Sequence, residues 1–220
     1  MNIRTKKDLL YEQLARIGKA LSSPKRLELL ELLAQGEKSV EALAHLTGMD
    51  LRLVSAHLKA LRQTRLVDTR RDGRYIHYRL SGQDVPRLWI AFREAAENHL
   101  IELRIALEQL AAHADTLVGE DRESLMQRAR KGEIVVIDVR PVSEFEAGHL
   151  PFARSLPLAE LELRLAELPA DRAIVAYCRG PFCLMSDEAV EMLRAKGFEA
   201  SKLREGVNEW AAAGLPIEQS

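Results

Sequence analysis

The fold of the first half of the chain is decided by residues 39–80, which read SVEALAHLTGMDLRLVSAHLKALRQTRLVDTRRDGRYIHYRL. Ser39 precedes a short apolar pattern that ends at Gly48, and Asp50 precedes a second pattern with one apolar face. The apolar residues of that second face are Leu51, Val54, Leu58 and Leu61. A short helix, a glycine turn and a second helix form a helix-turn-helix, so this stretch predicts that motif.

The second helix carries a small, polar and basic face opposite its apolar one. At about 100° per residue, that face holds Arg52, Ala56, Lys59 and Gln63, with Ser55 and Arg62 at its edges. Arg and Gln side chains can read base edges, and Lys and Ser can bind phosphates. We interpret this face as a surface for the major groove of DNA. An ordinary solvent-facing helix is the alternative.

A basic hairpin follows the second helix. Asp72 and Gly73 are a typical two-residue hairpin signal, and the residues after them alternate in polarity as a strand does. Three arginines lie at the predicted tip: Arg70, Arg71 and Arg74. Residues 52–79 contain eight Lys or Arg and two Asp or Glu, an excess that favours a polyanion. The hairpin is therefore predicted to be a β-wing that lies along the phosphate backbone or enters a minor groove.

Residues 10–110 resemble the ArsR/SmtB family of winged-helix repressors, and residues 19–80 carry the resemblance throughout. The resemblance implies a mainly helical winged helix-turn-helix fold and double-stranded DNA, as a palindromic operator, for a partner. The segment VSAHLKAL, residues 54–61, corresponds to the family's recognition helix and implies DNA contacts for Ser55 and His57. A histidine packed against the core is the alternative for His57.

A long amphipathic helix is predicted over residues 87–117. Its apolar positions recur at three- and four-residue steps: Trp89, Phe92, Ala96, Leu100, Leu103, Leu107 and Leu110. One small domain cannot cover such a face alone, so we expect a homodimer through this helix. In the resembled family the last helix forms the dimer, and a two-fold dimer matches a palindromic operator.

Many members of that family sense metals, but this sequence lacks their ligands. No cysteine precedes Cys178, and His99 and His113 are not accompanied by acidic residues at the family's ligand spacing. Scattered histidines are more often surface or core residues than ligands. We therefore predict no metal site and no cofactor.

The second half of the chain alternates predicted strands with helices, which indicates an α/β domain with a parallel sheet. We expect a first domain over residues 1–117 and a second over 118–220. The predicted strand AIVAY ends immediately before Cys178, and functional loops of such sheets follow the strand ends. The loop from Cys178 leads into a helix near Ser186, so backbone N–H groups and the helix dipole can lower the thiol pKa. Arg179 adds a cation that could hold an anionic substrate.

Three further segments resemble the signature blocks of the rhodanese family. They are DVRPVSEFEAGHLPFARSLPL, AYCRG and LREGVNEWAAAGLPI, in that order along residues 120–218. The resemblance implies that Cys178 takes sulfane sulfur as a persulfide from a small donor such as thiosulfate, polysulfide or a low-molecular-weight persulfide. It implies mainly supporting roles around the loop for Asp138, Arg140, Glu144, His149 and Gly180.

The loop departs from the rhodanese pattern at Cys183, where a basic or hydroxyl residue is common, and it is about two residues longer. Related phosphatases and arsenate reductases clamp their oxyanion with an arginine, and Leu184 stands in that place. Cys183 could resolve a persulfide on Cys178 as a disulfide. A cysteine that only fills space beneath the loop is the alternative.

Composition agrees with a two-domain intracellular protein. The net charge of −1 combines 19 basic and 15 acidic residues in positions 1–117 with 13 and 18 in positions 118–220. Two cysteines in one loop suit a reducing compartment, and no long apolar run or signal peptide is present, so we expect a cytoplasmic protein that does not bind membranes.

Together these features predict a repressor-type transcriptional regulator whose rhodanese domain senses or transfers reactive sulfur through Cys178, with Arg179 and Cys183 in the same loop. One alternative is a DNA-tethered working sulfurtransferase that regulates its own gene. Another is a module that binds an oxyanion such as arsenate without turnover.

Overall fold

A computed structural model describes residues 2–111 and 122–220. The chain divides into two compact units, Met1–Trp89 and Ile90–Ser220. The boundary predicted between residues 117 and 118 lies outside the described residues and stays a prediction. Among residues 2–111 and 122–220, no helix has the length and apolar character needed to cross a bilayer.

The first unit is a winged helix-turn-helix, as predicted. Its elements are α1 (Ile3–Leu21), α2 (Pro24–Ala34), β1 (Lys38–Ser39), α3 (Val40–Thr47), α4 (Leu51–Gln63), β2 (Val67–Asp72), β3 (Tyr75–Leu80) and the start of α5 (Asp84–His99). The three strands form an antiparallel sheet in the order β1-β3-β2.

Local sequence chemistry sets the helix ends of the motif. The Ala42 N–H donates to the Ser39 hydroxyl at 3.1 Å, and the Arg52 N–H donates to the Asp50 carboxylate at 2.8 Å. These bonds satisfy N–H groups that the first helical turn leaves without a partner. Gly48 ends α3 at φ +64°, a conformation that costs glycine little. The predicted caps of α3 and α4 are therefore confirmed.

The hairpin turn lies one residue later than predicted. Asp72 and Tyr75 pair across the ladder, so the two turn residues are Gly73 and Arg74, with Gly73 at φ +58°. A two-residue hairpin turn of this kind needs a positive φ at its first position, and Gly73 adopts it at little cost. The shift places Arg74 in the turn itself.

The core of the first unit is built by α2, α3, α4 and the inner face of the hairpin. Val54, Leu58 and Leu61 of α4 are fully buried, together with Leu29 and Leu43. These α4 residues lie at three- and four-residue steps, so burying them turns the opposite face of α4 outward. The helix is thereby fixed in the orientation that the sequence predicts.

The helix predicted over residues 87–117 is interrupted in the structure. α5 ends at His99 and α6 spans Ile101–Ala111, with Leu100 between them outside either helix. Residues 112–117 lie outside the described residues. Apolar periodicity continues across Leu100, which is why the pattern did not reveal the break.

The second unit is a parallel α/β domain. After α6 its elements are α7 (Arg122–Arg130), β4 (Ile134–Asp138), α8 (Val142–Ala147), β5 (Arg154–Ser155), α9 (Leu158–Leu161), a 3₁₀ helix (Glu162–Glu167), β6 (Ala173–Tyr177), α10 (Met185–Ala195), β7 (Ala200–Lys202) and α11 (Val207–Ala212). The four strands are parallel in the order β5-β4-β6-β7.

The sheet separates two apolar clusters because successive strand residues point to opposite faces. Ile174 and Ala176 pack on one side with helix α10, and Val175 and Tyr177 pack on the other with Trp210. Cys178 continues the first of these faces. The strand therefore delivers the thiol to the side from which α10 begins.

Candidate thiol site and DNA-binding surface

The thiol of Cys178 lies inside a loop between β6 and α10 and is 2 % exposed. Its Sγ atom donates to the carbonyl oxygen of Cys183 at 3.2 Å, and it lies 3.2 Å from the hydroxyl of Ser186. The backbone N–H groups of Gly180 and Ser186 also act on the sulfur. The loop thus surrounds the thiol with hydrogen-bonding groups.

The balance between burial and hydrogen bonding decides the protonation of Cys178. Burial by itself raises the pKa of the thiol, because a charged sulfur is poorly solvated there. Hydrogen bonds with the Cys183 thiol, with the Ser186 hydroxyl and with the two backbone N–H groups outweigh burial and lower the pKa to about 7. A large fraction of the thiol is therefore thiolate, the nucleophilic form, at neutral pH.

The pKa of Cys183 is shifted in the opposite direction, upwards. Its hydrogen bond with Cys178 raises the pKa of the Cys183 thiol most, and burial and the negative charge of the Cys178 thiolate raise it further. The two sulfurs share one loop, and neither forms a disulfide. Cys178 is the thiolate of the pair and Cys183 is its protonated neighbour.

Arg179 is paired with a buried carboxylate. Its guanidinium donates to both Glu144 oxygens, at 2.8 Å from Nη2 and 2.9 Å from Nε, and Glu144 is 1 % exposed. Glu144 lies on α8, so the pair ties the thiol loop to the loop after β4. The positive charge of Arg179 is already neutralised, which leaves less of it for an anionic substrate than the sequence interpretation assumed.

The remaining predicted support residues organise the turn after β4. Arg140 contacts Asp138 at 2.6 Å and donates to the Gly148 carbonyl at 2.7 Å, and both charged residues are buried. His149 stacks on Phe145 with ring centroids 3.7 Å apart. These contacts hold the backbone on both sides of Glu144.

Gly180 has a steric reason to be glycine. Its φ of +132° is unfavourable for other residues, and a Cβ there would lie 3.1 Å from a carboxylate oxygen of Glu209. The sequence interpretation named Gly180 but missed Glu209. A carboxylate on an amphipathic segment has no signal of its own in the sequence.

Sequence reasoning also missed the role of Ser186 as a direct contact of the sulfur. It treated Ser186 only as the approximate start of a helix, and α10 begins one residue earlier, at Met185. The next residue, Asp187, accepts from the buried Lys202 amine at 2.6 Å and 2.7 Å. A hydroxyl in the first turn after a reactive cysteine is the signal that could have identified Ser186.

The predicted DNA-binding face of α4 is exposed. Arg52, Ser55, Ala56, Lys59, Arg62 and Gln63 are all open to solvent. His57 is partly buried at the edge of this face. Burial lowers the pKa of His57, and the charges of Arg26 and Lys25 lower it further, so the ring is mostly neutral at pH 7.

The three wing arginines differ in their contacts. Arg70 is bound to Glu37 at 2.6 Å and to Asp72 at 3.3 Å. Arg71 donates to the Gly73 carbonyl at 3.1 Å. Arg74 donates to the hydroxyl of the adjacent Tyr75 at 2.7 Å. Of the three, Arg70 is bound to carboxylates, whereas Arg71 and Arg74 contact a carbonyl and a hydroxyl group, which leave their positive charge in place.

No group of three or more His, Cys, Asp or Glu side chains suited to a metal ion occurs within the part of the chain that the structure describes. His99 ends α5, and His113 lies outside the described residues. The sequence-based prediction on metal binding therefore stays a prediction.

Comparison with known families matches both units. Residues 23–69 match the bacterial regulatory protein, arsR family, and residues 121–213 match the rhodanese-like domain. The second half is 37% identical over 99 residues to a sulfurtransferase of Allochromatium vinosum, an alignment that covers 44% of this chain and 91% of that protein.

Similarity over the whole length is found in Mycobacterium. The HTH-type transcriptional regulator Rv0324 of Mycobacterium tuberculosis is 44% identical over 214 residues, which cover 97% of this chain and 94% of that protein. The solution structure of a homodimeric winged helix-turn-helix DNA-binding domain, Mb0332 of Mycobacterium bovis, is 47% identical, covers 46% of this chain and 91% of that chain, and has a TM-score of 0.42. The chain belongs to the ArsR family of transcriptional regulators, and it carries a rhodanese-like domain at its C-terminal end.

Proposed function

We propose that the rhodanese-like domain is a sulfur sensor: Cys178 accepts sulfane sulfur as a persulfide, and this modification changes the affinity of the regulator for its operator. The observation that carries the proposal is the position of Cys178, a buried thiol whose hydrogen bonds lower its pKa to about 7. A thiolate at neutral pH is what attack on a sulfur–sulfur bond requires.

The chemistry balances with a hydropersulfide donor, R–S–S–H. The Cys178 thiolate attacks the outer sulfur and forms a new S–S bond, while the donor's S–S bond breaks and the thiolate R–S⁻ leaves. Cys178 becomes a persulfide, Cys–S–S–H, and no further oxidant or reductant is consumed. Thiosulfate would react in the same way with sulfite as the leaving group.

Two roles are proposed for Cys183. It stabilises the Cys178 thiolate, and it later attacks the Cys178 persulfide to form a disulfide. Because the pKa of the Cys183 thiol is raised, it stays protonated at neutral pH and attacks slowly. If it attacks Sγ of a Cys178 persulfide, a disulfide forms and hydrosulfide leaves. We expect the persulfide to be the longer-lived product, with the disulfide appearing as the pH rises.

The oxyanion alternative has less support. An arsenate-like anion needs an available cation at the loop, as in phosphatase-type sites. Arg179 is the one cation between Cys178 and Met185, and Glu144 binds it with both carboxylate oxygens. A working sulfurtransferase is the stronger second candidate, because the second half is 37% identical to a protein named sulfurtransferase.

DNA recognition is proposed for the exposed face of α4 and the wing. Arg52, Lys59 and Gln63 would contact the major groove, with Ser55 and Arg62 at the edges, and Arg74 would contact the backbone. His57 is proposed to support the helix from its partly buried position. These contacts follow from exposure and charge in the first unit.

A homodimer is proposed from an uncovered apolar face of α1. Leu10 is 69% exposed and Leu14 is 65% exposed, and Leu9 and Tyr11 lie beside them. Neighbouring apolar side chains left in water favour association, and a second copy presents the same face. Leu100, Ile101 and Ile105, at and after the break between α5 and α6, are exposed apolar residues of the second unit.

One experiment separates the sensor from the working enzyme. Operator affinity is measured for the wild type, Cys178→Ser and Cys183→Ser, each reduced and after polysulfide treatment, and thiosulfate:cyanide turnover is measured on the same samples. The sensor predicts a change of about 5–150-fold in wild-type affinity, the range of a typical coupling energy, and none in Cys178→Ser. Equal wild-type affinity in both states together with steady turnover would favour the DNA-tethered sulfurtransferase.

A further inference from the structure

A buried ion pair lies next to the thiol loop and is not explained by the proposed sulfur chemistry. Arg93 of α5 is 4 % exposed, and its Nη1 atom donates to Glu209 Oε1 at 2.7 Å. Its Nε atom lies 3.2 Å from Glu97 Oε1 one helical turn later. Removing two charges from water is costly, so a pair kept in this position calls for a role besides stability.

Glu209 connects this pair to the backbone of the loop. Its Oε2 atom accepts the Gly206 N–H at 2.8 Å at the start of α11. The same carboxylate lies against Gly180, where an added Cβ would come within 3.1 Å of Oε1 and 3.2 Å of Oε2. The carboxylate therefore fixes the backbone at Gly206 and limits the position of Gly180.

Gly206 in turn packs directly against the residues that carry the thiol. A Cβ at Gly206 would lie 2.7 Å from the Arg179 carbonyl oxygen and 2.8 Å from the Cys178 carbonyl oxygen. The guanidinium of Arg93 also stands 5.9 Å from the ring of Phe182 in the same loop. A continuous set of contacts thus runs from Arg93 through Glu209 and Gly206 to the backbone of Cys178.

We infer that Arg93 and Glu209 are positioning residues for Cys178: the pair holds the backbone of the loop, and its opposite charges cancel each other at the sulfur, so that neither charge alone acts on the thiol. The inference rests on the proposed role of Cys178 as the nucleophile. It extends the site to Arg93 in the part of α5 that belongs to the second unit.

The cations around Glu209 are each bound to a carboxylate, so removing one charge of the Arg93–Glu209 pair has an effect of known sign. Arg122 also acts on Glu209 and is itself bound to Glu205 at 2.6 Å, and Arg204 is bound to Glu97. The paired residues are three cations, Arg93, Arg122 and Arg204, and three carboxylates, Glu97, Glu205 and Glu209, and the exposed Glu94 also acts on Arg122. Neutralising one member leaves a net charge near the thiol loop.

The test is the pH profile of Cys178 alkylation in the full chain, with the variants Arg93→Gln and Glu209→Gln. Arg93→Gln leaves an extra negative charge, which disfavours the thiolate, and should raise the midpoint by about 0.5–1 pH unit. Glu209→Gln leaves an extra positive charge and should lower the midpoint by a similar amount. The double variant restores the balance and should return the midpoint towards that of the wild type.

Two exposed residues provide matched controls: Arg87→Gln on the same helix and Glu191→Gln on α10 remove the same charges away from the loop. A purely structural role would move the midpoint in the same direction for Arg93→Gln and Glu209→Gln, since both would loosen the loop. That result, or equal shifts in the controls, would overturn the inference. If Arg93→Gln fails to fold, Arg93→Lys replaces it in the test. Because Arg93→Lys keeps the positive charge, its alkylation midpoint should equal that of the wild type, and a shifted midpoint would overturn the inference.

Alkylation does not require sulfur transfer, so the two claims fail separately. If the midpoints shift as expected but polysulfide never modifies Cys178, the positioning inference stands and the proposed function fails. If Cys178 is persulfidated and the midpoints do not move, the sulfur function stands and Arg93 and Glu209 have no positioning role.

Discussion

The Sγ atom of Cys178 lies 3.2 Å from the hydroxyl oxygen of Ser186, at the beginning of α10. Ser186 also contributes its backbone N–H to the same sulfur. A single residue therefore offers the thiolate two hydrogen bonds from the end of a helix that carries positive partial charge. This relationship explains how a thiol that is almost entirely buried can still be ionised at neutral pH.

Ser186→Ala should raise the pKa of Cys178. A hydrogen bond to a charged group contributes about 1.5–3 kcal/mol, and the neutral thiol does not need it, so we expect the midpoint of alkylation to rise by about one pH unit or more. The measurement is the alkylation rate against pH, with Ser201→Ala on β7 as the control. An unchanged midpoint would mean that the backbone N–H groups alone ionise the sulfur.

Cys178 should react before Cys183 when the alkylating reagent is limiting. With a pKa of about 7, Cys178 is partly thiolate at pH 7, whereas the pKa of Cys183 is raised and its thiol stays protonated. Peptide mass spectrometry after brief labelling identifies the modified residue. Preferential labelling of Cys183 would contradict the assignment of Cys178 as the nucleophile.

Glu144→Gln should destabilise the second unit. Both partners of the pair are shielded, with side-chain exposures of 1% for Glu144 and 12% for Arg179, so the variant removes the negative charge that faces a shielded cation. Breaking a buried pair in this way costs about 3–5 kcal/mol. Urea unfolding measures the loss. The exposed pair of Glu160 with Arg164 is the control, and Glu160→Gln should leave the unfolding midpoint almost unchanged.

Arg74→Ala should reduce the salt dependence of DNA binding more than Arg70→Ala does. Each phosphate neutralised contributes about −0.9 to the slope of log K against log salt, and Arg74 lies in the exposed turn of the wing. Arg70→Ala should have a smaller effect because Glu37 already binds Arg70. Binding isotherms at several salt concentrations decide between them. A larger slope change for Arg70 would show that DNA displaces Glu37.

A chelator should leave operator affinity unchanged. The described residues contain no cluster suited to a metal ion, and the sequence has no cysteine before Cys178. The measurement is operator binding with and without EDTA, followed by added zinc. A large zinc-reversible change in affinity would instead direct attention to His99 and His113.

Much of the architecture was predictable because it depends on local patterns. Ser39 and Asp50 are capping residues by chemistry, and the apolar steps of α4 require one buried face whatever it packs against. The parallel sheet followed from strands that alternate with helices. The break at Leu100 and the one-residue shift of the wing turn were not predictable, since helix periodicity and turn signals do not specify where packing interrupts them.

By itself, the sequence determined that this chain joins a DNA-reading winged helix to a thiol-bearing α/β domain, and that Cys178 follows the strand AIVAY. Only the tertiary structure decided which groups act on that thiol. Arg179 binds Glu144, which lies 35 residues away in the sequence, and Arg93 binds Glu209, which lies 116 residues away. Contacts between residues so far apart in sequence leave no periodic pattern in the chain, because they arise only when separate elements pack against the same loop.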